Sequence, residues 1–480
     1  MSNYDNISTA IEDRTGYSNA SQIFIAFLAL LFLAPALLIV AGSQSIIAVF
    51  YFTALGVIFL LVNPRVSFLV WIVSISIYYP IRVGGMMVNP SDFAMLLLML
   101  TVILDFLLHT RTELRRSVFD IPFLCLIGAA GLSVFLAFDK SLSLTPILRV
   151  ITIYLAFRIV YKLAMDIGVR RVLLFFVYQV FALSLLNSIL FLIQGGGTRV
   201  FGPAWLPFET LAMTALPMTA AFMIWSQFPA ERIKFGCMGI VIALAIFATQ
   251  SRAPIVTVVL AMPVLLVATA RQKPEGRTRY GFGSLFKLAL PLGLVALILY
   301  LGRETFFEAS LGRVQELINS AIKPEGTIAL RVVLWTAAIK AFLVNPLTGI
   351  GIGNFRIVSQ ILPDIRLTPV WYYIGGMSPH NVVLHWLAET GLPGAGALLW
   401  LAWRGLKTGY RMLAKAETAQ DQQVAQALFI GLFIFAMSIF YMRAWTWGQD
   451  GYIMALLFGL GAAWQRQMAS RASDSPTIKE

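Results

Sequence analysis

An all-α, polytopic membrane protein is the fold class this sequence predicts, and three observations predict it. Of the 480 residues, 59% are hydrophobic and only 12% are charged. Apolar runs of the roughly 20 residues that a helix needs to cross about 30 Å of hydrocarbon recur along almost the whole chain, a continuity that excludes a transmembrane barrel. The net charge of +13 falls in alternate short loops between those runs rather than on one soluble domain, so membrane topology accounts for it and nucleic acid is not an expected partner.

The chain opens on a polar segment, 1 to 21, that carries Asp5, Glu12 and Asp13 and lacks the basic start and cleavage site of a signal peptide. Spans are expected near 23 to 42, 45 to 62, 66 to 82, 91 to 109, 120 to 138, 143 to 163, 172 to 193, 208 to 227, 233 to 250, 253 to 270, 285 to 301, 391 to 408, 425 to 442 and 450 to 464. Pro35 and Pro146 are potential breaks, so about 12 to 14 helices are expected, with the same parity either way. Arg111, Arg115 and Arg116, then Lys162, Arg170 and Arg171, then Arg271 to Arg279, then Arg404 to Lys415 share one side. The positive-inside rule makes that side cytoplasmic, together with both termini. The expected organisation is an N-terminal segment 1–21, a helix bundle 22–301, one long non-cytoplasmic helical loop 302–390, C-terminal spans 391–465 and a disordered tail 466–480. Cys125 and Cys237 lie within spans as expected small buried hydrophobes, with no disulfide framework.

The face opposite the basic loops holds the candidate chemistry. In the long loop, 312 to 322 reads as a short amphipathic helix, and 328 to 344 as a stronger one stopped by Asn345-Pro346, with Arg331 one turn before Trp335. The alternating Gly349, Gly351 and Gly353 lack the strand–turn–helix setting of a dinucleotide fingerprint, and close backbone packing or a ligand-admitting turn is expected instead. His380 is one of only three histidines; it follows Ser378-Pro379 and precedes Asn381, a suitable N-cap. At the positive end of that helix the imidazole would tend to stay neutral and able to accept a proton. His385 and Glu389, four apart, can share a face as a packed pair, and His109 reads as interfacial. Arg82, Arg199 and Arg252 lie in short connections on the same side, while Arg149, inside the sixth span, pairs either with a phosphate or with a buried carbonyl.

Four blocks in order carry a resemblance: Arg199-Val-Phe-Gly-Pro; Thr249-Gln-Ser-Arg-Ala-Pro; Arg331-Val-Val-Leu-Trp with Asn345-Pro-Leu-Thr-Gly-Ile-Gly-Ile-Gly-Asn-Phe; and His380-Asn-Val-Val-Leu-His-Trp-Leu-Ala-Glu-Thr-Gly-Leu-Pro-Gly. Over about 195 to 400 the sequence resembles the O-antigen ligase and polymerase family, bacterial membrane glycosyltransferases with a Wzy-type C-terminal region, and most nearly its ligases. The first 190 residues match only as a hydropathy pattern. The resemblance implies a GT-C-like enzyme of the inner membrane that transfers a glycan from undecaprenyl pyrophosphate to lipid A-core at the periplasmic face. It implies His380 as general base, with Arg252, Arg331 and Arg199 on the donor pyrophosphate; Asn381, His385, Glu389, Arg149 and Arg82 are further site candidates read from the residues themselves. Many polyprenyl-dependent transferases hold a divalent cation on acids of the first external loop, where this chain has Gly42-Ser-Gln-Ser. A metal-independent, cofactor-free reaction is therefore expected. A Wzy-type polymerase, a protein O-oligosaccharyltransferase and, more remotely, a polysaccharide flippase are the alternatives.

Overall fold

The computed structural model describes residues 64–83, 86–108, 116–194, 206–249, 251–271, 326–362, 377–441 and 449–474. The expected spans at 23 to 42, 45 to 62 and 285 to 301, the expected helix at 312 to 322, His109 and Arg199 lie outside them. The described chain is helical and polytopic: six of its helices are long and apolar enough to cross a membrane. Its helices are α1 (Pro64–Ser74), α2 (Pro90–Leu108), α3 (Asp120–Phe135), α4 (Lys140–Ile167), α5 (Val169–Ile193), α6 (Leu206–Trp225), α7 (Pro229–Ala248), α8 (Arg252–Arg271), α9 (Gly326–Val344), α10 (Val382–Lys415), α11 (Ala419–Ser438) and α12 (Asp450–Asp474), with a short helical turn over 355–361.

The span expected over 66 to 82 is shorter than the hydropathy suggests. Helix α1 stops at Ser74, whose hydroxyl turns back onto the Trp71 carbonyl at 2.6 Å. Pro80 then holds the chain extended, and an antiparallel pair follows, Ile81–Val83 against Met86–Val88, with Arg82 opposite Met87.

Helix α4 packs along α12, α6 lies between α7 and α11, and α10 packs against α3 and α11. Where α3, α4 and α12 meet, aromatic rings fill the core: Phe119 sits edge-on to Phe458 at 4.8 Å and Phe123 stacks on Phe157 at 4.9 Å. Small residues admit this closeness, since a Cβ on Gly459 would lie 2.5 Å from Val160 Cγ1. The outer faces are apolar, as a lipid-facing surface requires, and they include both cysteines. Cys125 and Cys237 are exposed rather than buried, because each falls on the outward side of its helix.

Pro146 does not break α4, which runs through it. Proline deprives the Leu142 carbonyl of its helical partner, and the loop at Gly353 closes over that turn: a Cβ there would stand 2.5 Å from Leu142 O and 2.8 Å from Pro146 Cγ. The tail is also more ordered than expected. Helix α12 continues to Asp474, and Arg471 reaches Asp421 at 2.9 Å.

Charges inside the bundle are matched. Arg158 grips both oxygens of Asp120 at 2.8 and 2.7 Å, with the Tyr154 hydroxyl at 3.2 Å, and Lys162 reaches Asp105 at 3.3 Å. Arg149 pairs with a carboxylate that the sequence did not point to. Its Nη2 is 2.9 Å from Asp92 Oδ2, and Asp92 Oδ1 accepts from Tyr452 at 2.8 Å. A cation at that depth needs such a counter-charge, so its partner is supplied by the fold.

Candidate functional site

The residues after α9 form a loop stitched into three helix ends. Asn345-Pro346 ends α9, and Gly349, Gly351 and Gly353 all take positive φ. At Gly349 the reason is contact with backbone: an added Cβ would be 2.3 Å from the Glu389 carbonyl carbon and 2.5 Å from Thr390 N. Close backbone packing, one of the two expectations for these glycines, is what they provide.

That packing explains the kink in α10, where Gly391 has φ 67° and ψ −163°. Pro393 offers no N–H to the Glu389 carbonyl, which accepts from Gly351 N at 3.0 Å; the Ala388 carbonyl accepts from Ile350 N at 2.9 Å. Leu392 N–H, which would reach back to Ala388 in an unbroken helix, donates to Pro346 O at 2.9 Å. The loop therefore takes over the hydrogen bonds that the kink releases.

Buried Asn354 ties the same loop to the α3–α4 junction. Its Oδ1 accepts from Asp139 N at 2.7 Å, and its Nδ2 donates to Asp139 O and Ser143 Oγ, both at 3.1 Å. Ile350 O accepts from Phe138 N, and Ile352 N donates to Ser133 Oγ. Asp139 in turn caps α4; the side-chain and backbone hydrogen bonds from Ser141 hold its carboxyl below the usual carboxylate range.

Glu389 and His385 share a face as the sequence spacing implies, and both are buried. Glu389 Oε1 is 3.1 Å from His385 Nε2 and accepts from Phe355 N at 3.0 Å, while the His385 ring lies 5.4 Å from that of Phe355. The pair thus anchors the loop to the first turns of α10.

His380 sits at the start of α10, half-buried, with φ 50°, an uncommon backbone conformation for a non-glycine residue. Asn381 caps the helix as expected, its side chain accepting from Leu384 N at 2.9 Å. The N-terminal N–H groups are not open, however: those of Val382 and Val383 both donate to the Ile439 carbonyl, at 2.7 and 3.3 Å. Part of the positive helix end expected to act on His380 is thereby spent on protein.

Two connections tie the helices that carry Arg331 and Arg252 to the surroundings of this histidine. The Trp335 indole donates to the Pro379 carbonyl, the residue before His380, at 2.9 Å, and Arg331 lies one turn earlier on the same face of α9. Helix α8 begins at Arg252, and its Thr257 hydroxyl bonds that of Tyr441, two residues beyond Ile439. Its backbone thus starts at the His380 end of the bundle. The Arg252 side chain is outside the described atoms, as is that of Arg82. Sequence reading missed Asp92, Trp335 and Asn354 as partners, and for Trp335 the i+4 spacing from Arg331 was the available signal.

With that geometry in place, residues 237–401 match a family model described as O-antigen ligase. The chain carries an O-antigen ligase family domain. The matched stretch runs from α7 into α10 and contains Arg252, Arg331, His380, His385 and Glu389, whereas Arg199, Arg149 and Arg82 lie outside it. No curated protein matches the chain. The family supports a function of the O-antigen ligase and polymerase type, on lipid-linked glycans, in a multi-pass membrane protein.

Proposed function

We propose that this protein is an O-antigen ligase that transfers a glycan from undecaprenyl pyrophosphate to a sugar hydroxyl of lipid A-core at the periplasmic face of the inner membrane. The observation that carries the reading is the Trp335–Pro379 hydrogen bond, which holds the Arg331 helix against the backbone of His380. In the proposed step the acceptor hydroxyl attacks the anomeric carbon, its proton passes to the His380 imidazole, and the bond from that carbon to the pyrophosphate oxygen breaks. Attack opposite the leaving group inverts the configuration.

The charge that grows on the departing pyrophosphate suits guanidinium groups, which bind phosphate oxygens in pairs. Arg331 and Arg252 take that role in this reading, with Arg199 as the third candidate. Asn381 holds the helix start that presents His380, and His385 with Glu389 acts as the loop anchor. Arg149, matched to Asp92, and Arg82 have no assigned step. Arginines stand in for a divalent cation, so the reaction is proposed to be metal-independent and inverting.

The test is reconstitution of the purified protein with undecaprenyl-pyrophosphate glycan and a panel of acceptors, with and without excess chelator. Glycosylated lipid A-core formed in the presence of chelator is the expected product. Extension of a second lipid-linked glycan would make the protein a polymerase, a glycosylated peptide would make it a protein O-oligosaccharyltransferase, and glycan movement with no covalent product would make it a flippase.

A further inference from the structure

Helix α9 falls in the stretch expected to form the loop between spans, yet its outward face is not that of a helix in water. Its inner side, Leu334, Ala337, Ala338 and Ala341, packs on Ile350, Phe355, Val358 and Ala388. On the opposite side Val332, Ile339 and Leu343 form one exposed stripe, spaced seven and eleven residues from the first, with Leu343 64% exposed. Thr336 shares the stripe, but its hydroxyl is turned back to the Val332 carbonyl at 2.9 Å. Trp335 flanks the stripe on one side and Lys340 on the other, the arrangement of helices that lie at a lipid–water boundary.

The stripe does not end with the helix. Leu347, 70% exposed, follows it, and its neighbour Pro346 is bonded to Leu392 N at 2.9 Å. Leu392 is itself 55% exposed and opens a second stripe along the spanning part of α10, with Leu399, Trp403 and Tyr410 at intervals of seven, eleven and eighteen residues. The span expected over 391 to 408 is about 27 Å long at 1.5 Å per residue, close to the hydrocarbon thickness, so Leu392 stands at its boundary. The apolar surface of α9 is therefore continuous with a lipid-facing surface at the level where that surface meets the headgroups.

We infer that α9 is seated in the membrane, its Val332–Ile339–Leu343 stripe on the acyl chains of the bilayer leaflet at the Leu392 end. This seat does not depend on which group the protein transfers. It would hold the Arg331 and His380 backbones at the depth of lipid phosphates.

The test is nitroxide scanning of the full-length protein in lipid nanodiscs, in a Cys125→Ala/Cys237→Ala background. Labels are placed at Val332→Cys, Ile339→Cys, Leu343→Cys and Leu347→Cys, with Trp403→Cys as the lipid-facing reference and Lys340→Cys at the polar flank. Collisions with oxygen, which concentrates in hydrocarbon, should exceed those with a water-soluble nickel chelate at the four apolar sites and at Trp403→Cys, with the ratio reversed at Lys340→Cys. Dominant nickel collisions at the four sites would place the helix in water, and suppression of both reagents would mean that protein covers the stripe. Either result overturns the inference.

Discussion

Glu389 offers the sharpest test of how the loop is held. Its buried carboxylate takes the Phe355 N–H at 3.0 Å and lies 3.1 Å from His385 Nε2. In Glu389→Ala both donors lose their acceptor in a dry site, at about 1–3 kcal/mol each, so the folded state should lose about 2–6 kcal/mol. In Glu389→Gln the amide oxygen can still accept from both, and only the charge assistance is lost, about 1 kcal/mol per bond or about 2 kcal/mol together. SDS titration of the purified protein in mixed micelles, followed by tryptophan fluorescence, should rank wild type above Glu389→Gln and Glu389→Ala last. Because the carboxylate acts here as an anchor, Glu389→Gln should also keep most of its transferase turnover. An alanine variant within about 0.5 kcal/mol of wild type would refute the anchoring argument, and a well-folded but inactive glutamine variant would move Glu389 into the chemistry.

Three further outcomes are expected. His380→Ala should lower turnover by about 100-fold or more while donor binding stays largely intact, measured by single-turnover kinetics beside a donor-binding assay. Arg331→Ala and Arg252→Ala should weaken donor binding and turnover together, with lysine rescuing only in part because it cannot form the paired contact. Gly349→Ala, whose Cβ would meet Glu389 and Thr390 backbone at 2.3–2.5 Å in a left-handed conformation that itself costs about 1–2 kcal/mol, should destabilise the protein in the same SDS titration. Gly128→Ala, with open space around its Cβ, should not.

What the sequence made legible was local. The Asn381 cap spans three residues and the His385–Glu389 pair four, so helical geometry alone predicts them. Hydropathy located the spans wherever lipid and core are both apolar, but not which side of a helix meets lipid, and so it buried Cys125 and Cys237 wrongly. It also ran α1 too far, because Ile75 to Tyr79 are as apolar in an extended chain as in a helix. The partners of Arg149 and Asn354 lie 57 and 215 residues away, where no local pattern reaches. Pro146 depends on Gly353 in the same way: the residue that would break the helix and the one that closes over the break come together only in the fold.

The stitching of residues 345–355 also sets the unit in which this region can be exchanged. A boundary at 302 and 390 looks like a natural cut for building chimaeras, but it would sever Ile352 from Ser133, Asn354 from Asp139 and Ser143, and Pro346 from Leu392. A transplant meant to change which acceptor the protein serves would have to carry residues 133–143 and 388–393 along with the loop. By the same logic, the loop expressed alone would bring backbone groups whose partners stay behind in the membrane.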